Sequence, residues 1–87
     1  MEVDVNLENR EIARQYKELL RISYQTLTYS DKKLIRLAFD TSVDAHRNQR
    51  RKSGEAYVFH PIGVAKIVAD EIGLDATCIS AALLHDT

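Results

Sequence analysis

Apolar residues near the start of the chain recur at helical intervals. Ile12, Tyr16, Leu19, Leu20 and Leu27 follow one another at spacings of four, three, one and seven, which gathers them on one face of a helix. The pattern predicts a first helix over residues 6–27, with Asp4 or Asn6 as its cap. The residues then turn polar, and Ser30 offers a hydroxyl oxygen to the free N–H groups of a second helix over residues 31–46, with Asp31 placed favourably against its dipole. Leu34, Ile35, Leu37, Ala38, Phe39 and Val43 make the apolar surface of that helix wider than a single stripe. It is therefore expected to be the central helix and to touch more than one neighbour.

Residues 47–56 carry no periodicity and hold four cations against one carboxylate, which predicts a loop. Pro61 fits the first position of a third helix, where its missing N–H is no loss, and Ile62, Val64, Ala65, Val68 and Ile72 follow at helical spacing before Gly73 supplies a stop. Asp75 is the expected cap of a fourth helix starting at Ala76, with Cys78, Ile79, Ala82 and Leu83 on its buried side. The small Ala81-Ala82 pair would let another helix approach closely. Nothing reads as a strand, because the β-forming cluster Tyr57-Val58-Phe59 is too short. The predicted class is all-α, with about four helices.

Composition narrows this picture. A chain of 87 residues, 45% hydrophobic and 29% charged, is one small globular domain over residues 1–87. At this size folding buries only about 60% of the surface of the unfolded chain, so any missing core is costly. Twelve Lys+Arg against thirteen Asp+Glu leave a net charge of −1, which argues against a generally basic DNA-binding or membrane-surface protein while permitting a local basic patch. The single cysteine, Cys78, allows neither an intrachain disulfide nor a zinc-type pair, consistent with a reducing cytoplasmic setting. The acidic start lacks the features of a signal peptide, and the longest apolar run, residues 81–84, falls far short of the roughly 20 residues that span a bilayer. The fourth helix reaches the end of the chain without a glycine, a cationic last turn or a polar tail, the pattern expected of a fragment.

Two groups of residues could carry chemistry. His85 and Asp86 are adjacent at the end of an apolar helix, and both are metal-ligating types. Neighbouring helical side chains diverge by about 100°, so one ion would reach both only with a third element. His60 could be that element, since it lies 25 residues before His85, a distance that a helix, a turn and a returning helix would close. By composition and spacing alone, helix capping or satisfied core histidines are the plainer explanation of these residues. Arg50, Arg51 and Lys52 combine forked and point-charge donors suited to phosphate or to a base, and Gly54 permits a tight turn beside them. A solvated charged surface is the plainer explanation of such a run. His46 is expected to be buried and hydrogen-bonded, Cys78 to be a small core residue, and Tyr57 and Phe59 to anchor the loop in the core.

The order in which these features occur is more specific than any one of them. The segment Arg51-Lys52-Ser53-Gly54-Glu55, followed by His60-Pro61 and then by Leu83-Leu84-His85-Asp86-Thr87, resembles the hydrolase domain of the RelA/SpoT proteins, bacterial enzymes that make and degrade the alarmone (p)ppGpp. The likeness is dense from Ala45 onward. It implies an all-helical HD-type bundle, here incomplete, with a manganese ion (Mn2+) held by two histidines and two aspartates. His60, His85 and Asp86 would be three of those ligands. The resemblance further implies that Arg51 stacks on guanine while Lys52 and Ser53 help to hold the nucleotide. The reaction would be hydrolysis of the 3′-pyrophosphate of (p)ppGpp to GDP or GTP plus pyrophosphate.

There are departures. Ala56 stands where the family usually has proline, and the family's Glu-Asp pair and distant fourth ligand would lie beyond Thr87. The 87 residues alone are therefore expected to be inactive in hydrolysis, and a homodimer or larger self-associated form is expected to cover the apolar faces left open. The alternatives are a non-catalytic helical interaction module and a piece of a compact stand-alone alarmone hydrolase.

Overall fold

The computed structural model describes residues 5–23, 27–71, 75–85 and 87. Among them are four helices, α1 (Val5–Ser23), α2 (Tyr29–Ala45), α3 (Phe59–Glu71) and α4 (Ala76–Leu84), and no named strand. The all-α expectation holds. Several boundaries differ, and each difference has a local cause.

Asn6 lies inside α1 rather than capping it, and Asp4 lies outside the described residues. At the other end α1 is described to Ser23, residues 24–26 lie outside the described residues, and Leu27 packs against the core from outside any helix. The cap of α2 is Thr28, not Ser30. The Asp31 N–H donates to Thr28 Oγ1 at 3.1 Å, and the Thr28 N–H donates back to Asp31 Oδ2 at 3.0 Å. Such a reciprocal box requires an acceptor three residues after the cap. Thr28 has Asp31 there, whereas Ser30 would have Lys33.

The start of α3 is two residues earlier than Pro61, because Phe59 N–H donates to Ala56 O at 3.3 Å and His60 N–H to Tyr57 O at 2.9 Å. Pro61 is still in the first turn, where no intrahelical donor is needed. The end expected for this helix at Ile72-Gly73 lies outside the described residues. Asp75 caps α4 as expected, accepting from the Cys78 N–H at 3.1 Å.

Packing gives the central place to α4, not to α2. The short α4 lies between α2 and α3, and α1 packs on α3. Ile79 and Leu83 of α4, Ile35 of α2, Ile62 and Ala65 of α3 and Leu19 of α1 are all essentially inaccessible to solvent. In contrast, Leu34 and Leu37, counted in the broad face of α2, are 42% and 65% exposed. The breadth of an apolar face shows how much could be covered, not what covers it. Helix α1 also reaches α2 through the rings of Tyr16 and Phe39, whose centroids are 4.3 Å apart, with the Arg36 guanidinium 5.3 Å from the Tyr16 centroid. Cys78 is half-buried, and burial, with Asp75 beside it, pushes its thiol pKa upward.

The segment expected to be an irregular loop is a small hairpin. Arg50 and Ala56 form an antiparallel bridge, Tyr57 N–H donates to Gln49 O at 3.0 Å, and Arg51 N–H donates to Glu55 O at 2.9 Å. Gly54 closes the tip by donating to Arg51 O at 2.8 Å, with φ at 94°. Ala56 and Val58 carry the returning arm into the core.

On the solvent face of α1, Arg14 bridges Glu11 at 2.6 Å and Glu18 at 3.2 Å, and Lys66 of α3 reaches Glu18 at 3.3 Å. The Arg14 and Gln15 hydrogen bonds hold the Glu11 carboxyl down to about 2 from its ordinary 4.5. A carboxyl depressed in the folded state contributes stability above its unfolded pKa that is lost as pH falls through the folded one. Glu11 is open to water, so screening keeps that contribution small. An NMR titration is expected to find the Glu11 midpoint near 2, and Arg14→Ala to return it toward 4.5. A second expectation concerns Gly54. A Cβ there meets nothing within 4 Å, so Gly54→Ala costs only the left-handed backbone penalty, about 1–2 kcal/mol, seen as a lower midpoint in urea unfolding.

Candidate functional site

The antiparallel run of α3 and α4 brings the beginning of one helix to the end of the other. His60 is the second residue of α3 and His85 is the C-cap of α4. Their ring centroids are 5.7 Å apart and the rings are inclined by 59°. The sequence expectation that a returning helix would close the gap of 25 residues is met for these two histidines. Asp86 lies outside the described residues. Among the described residues no three His, Cys, Asp or Glu side chains converge as a metal-binding group.

The tautomer of His85 follows from its contact. Its Nδ1 lies 2.5 Å from Ala82 O. A carbonyl oxygen can only accept, so the hydrogen of this contact sits on Nδ1, and in the neutral ring Nε2 is then the nitrogen that can bind a metal. This is how a metal-binding histidine is commonly oriented, its other nitrogen donating to a backbone carbonyl. Two imidazoles on one ion, with metal–nitrogen bonds of about 2.0–2.1 Å, hold their centroids roughly 4.5–6.4 Å apart. The observed separation of 5.7 Å falls in that interval, so the spacing of the two rings is compatible with a shared divalent ion.

The hairpin presents the second group. Arg51, Lys52 and Ser53 are exposed and, with Arg50 and Tyr57, line a cavity of about 440 Å3. Arg51 Nε stands 3.7 Å from Glu55 Oε1, a loose pairing across the turn. Arg50 is held differently. Its guanidinium grips both carboxylate oxygens of Glu8 on α1, with Nη2 at 2.9 Å from Oε1 and Nη1 on Oε2. That hydrogen bonding raises the Arg50 pKa above its ordinary value.

Tyr57 joins the two groups. Its ring centroid is 5.7 Å from that of His60 and 5.0 Å from that of His46, and it lines the hairpin cavity. The sequence reading had Tyr57 and Phe59 as core anchors. Phe59 does pack against the core, whereas Tyr57 spans the cavity and the histidine pair. Its position three residues before His60, one helical turn away, was the available signal. His46 is buried as expected, its Nδ1 2.5 Å from Gln49 Oε1. Its Nε2 is buried with no hydrogen-bond partner among the described residues.

Comparison with known proteins places this geometry. A family model described as an HD domain matches residues 38–87. The chain is 50% identical over 54 residues to the bifunctional (p)ppGpp synthase/hydrolase SpoT of Escherichia coli K12, a match covering 62% of this chain and 8% of that protein. It is 39% identical over 71 residues to a guanosine-3′,5′-bis(diphosphate) 3′-pyrophosphohydrolase of Vibrio cholerae, covering 82% of this chain and 10% of that one. With the bifunctional (p)ppGpp synthase/hydrolase RelA of Mycobacterium tuberculosis it shares 38% identity over 69 residues, 79% of this chain and 9% of the relative. The chain thus spans about a tenth of the length of the curated relatives it matches. Because the HD-domain model covers more than half of its residues, from within α2 through α4, the chain belongs to the HD-domain family.

Proposed function

We propose that this chain forms part of the hydrolase site of a stringent-response protein that removes the 3′-pyrophosphate of (p)ppGpp, giving GDP or GTP and pyrophosphate. The observation that carries this reading is the His60–His85 pair at 5.7 Å, joined through Tyr57 to a cavity rimmed by Arg51, Lys52 and Ser53. His60, His85 and Asp86 would hold a manganese ion, with water and groups beyond these three completing its shell. When bound, such an ion lowers the pKa of a coordinated water and polarises the phosphoryl group.

The chain's own groups have separate tasks. The Ala82 carbonyl fixes the His85 ring so that Nε2 is the donor atom. The planar Arg51 guanidinium suits stacking on a purine face, and Lys52 and Ser53 supply a charge and a hydroxyl donor to phosphate oxygens. The relatives named for (p)ppGpp support the same substrate class. We propose a cytoplasmic setting on the strength of the single cysteine, Cys78, which can form no intrachain disulfide.

A second reading, a non-catalytic interaction module, is favoured by Tyr29, Leu37 and Ile67, which are exposed apolar side chains. Metal binding separates the two. In a manganese titration followed by electron paramagnetic resonance, the protein is expected to bind the ion, and His60→Ala to weaken it at least about tenfold. A fluorescent ppGpp analogue is expected to bind in the presence of manganese and to lose affinity on Arg51→Ala. No manganese uptake by the unaltered protein would sink the hydrolase reading and leave the interaction module.

A further inference from the structure

The run Arg50-Arg51-Lys52 looks like three equivalent cations, yet the structure divides it. Arg50 is already engaged. Its fork meets both oxygens of Glu8, 42 residues earlier in the chain, and Nη1 also donates to Gly54 O at 3.3 Å. The Glu8 side chain is only 15% exposed and that of Arg50 36%. The ion pairs within α1 and α2, by comparison, join partners that are each 40% exposed or more. A sheltered, forked pair is the kind of ion pair that fixes geometry, because it is less screened and has one preferred orientation.

The hairpin needs such a fixture. An isolated two-stranded hairpin is marginal in water, and this one has a single bridge, Arg50 to Ala56. Its returning arm is held by burial of Ala56 and Val58. The outgoing arm has Arg50, whose one guanidinium ties that arm to α1 and, through Gly54 O, to the tip. Arg51, Lys52 and Ser53 lie between those two attachments in the sequence. Helix α1 is itself seated on α3, the helix that carries His60.

We propose that Glu8 and Arg50 are positioning residues for the nucleotide-binding hairpin: the Glu8–Arg50 fork fixes where Arg51, Lys52 and Ser53 stand relative to His60, and so makes α1 a determinant of nucleotide affinity. This rests on the hydrolase reading for its consequence, though not for its geometry. Arg50 accordingly acts through its neighbours and not as a third phosphate ligand.

The test uses Glu8→Ala, the milder Arg50→Lys, and the charge exchange E8R/R50E. Two readouts are taken: affinity for the fluorescent ppGpp analogue beside affinity for manganese alone, and amide hydrogen exchange at Arg51 and Gly54. Glu8→Ala is expected to weaken the analogue about fivefold or more, to leave manganese affinity unchanged, and to speed exchange at both amides. Arg50→Lys should fall between it and the unaltered protein, and the exchanged pair should recover part of both losses. Unchanged analogue affinity and unchanged exchange in Glu8→Ala would overturn the proposal. So would equal losses of analogue and manganese affinity, which indicate general destabilisation. If the unaltered protein binds no analogue, the hydrolase reading fails, and hydrogen exchange alone decides the fork: faster exchange recovered by E8R/R50E supports it, and unaltered exchange removes it.

Discussion

The burial of α4 between α2 and α3 is the constraint on which the rest depends. A helix of nine residues has too few hydrogen-bonded turns to persist in water by itself. What holds it is Ile79 and Leu83, both with no exposed surface, each contributing about 1.5–3 kcal/mol by removal from water. Ala76 and Ala82 are buried beside them and keep the helix slim enough to have neighbours on two sides. Because α4 is fixed at both flanks, its last turn is fixed too. His85 is therefore delivered to His60 by core packing, with no polar contact between the two histidines required.

The cationic group is held by different forces. The hairpin has one bridge, a glycine at positive φ, two buried apolar residues on one arm and one forked ion pair on the other. Around its base lie uncompensated costs. His46 supplies the carbonyl that accepts the Gln49 N–H at 3.0 Å, and its own Nε2 is buried without a hydrogen-bond partner among the described residues, as is Ser42 Oγ one turn earlier in α2; Ser80 Oγ, in α4, is in the same state. Buried polar atoms left in this state cost about 1–3 kcal/mol apiece. In so small a domain that is a large share of total stability. The histidine pair thus stands on helices packed through the core, and the exposed cations stand on a hairpin held by fewer contacts.

The number and type of the helices were legible because apolar spacing is a local property. Tyr16, Leu19, Ile35, Ala38, Ile62, Ala65, Ile79 and Leu83 all lie where a 3.6-residue period puts them, and all are buried. Boundaries failed where a particular partner decides them, as Asp31 decides for Thr28 over Ser30. The central helix was misplaced for a related reason. Leu34 and Leu37 widen the face of α2 in sequence, yet only the side bearing Ile35, Ala38 and Phe39 is buried. For the site, the approach of His60 to His85 could be anticipated from one helix–turn–helix return. The Glu8–Arg50 pair could not, since nothing local links residues 42 positions apart.

The early start of α3 shows how a boundary error bears on the site. Placing the start at Pro61 leaves His60 in the preceding loop, with its direction undetermined. In the structure His60 is already helical, and its N–H is bonded to Tyr57 O at 2.9 Å. That bond closes a turn whose members are Tyr57, Val58, Phe59 and His60. Val58 is buried and Phe59 packs against the core, so the turn cannot rotate without exposing them. Tyr57 and His60 are consequently held together, their ring centroids 5.7 Å apart. Residues on either side of this turn face different tasks, hairpin cavity before it and His85 after it. The buried Val58 and the partly buried Phe59 in the middle of the turn are what keep the cation-bearing hairpin in register with the histidine pair.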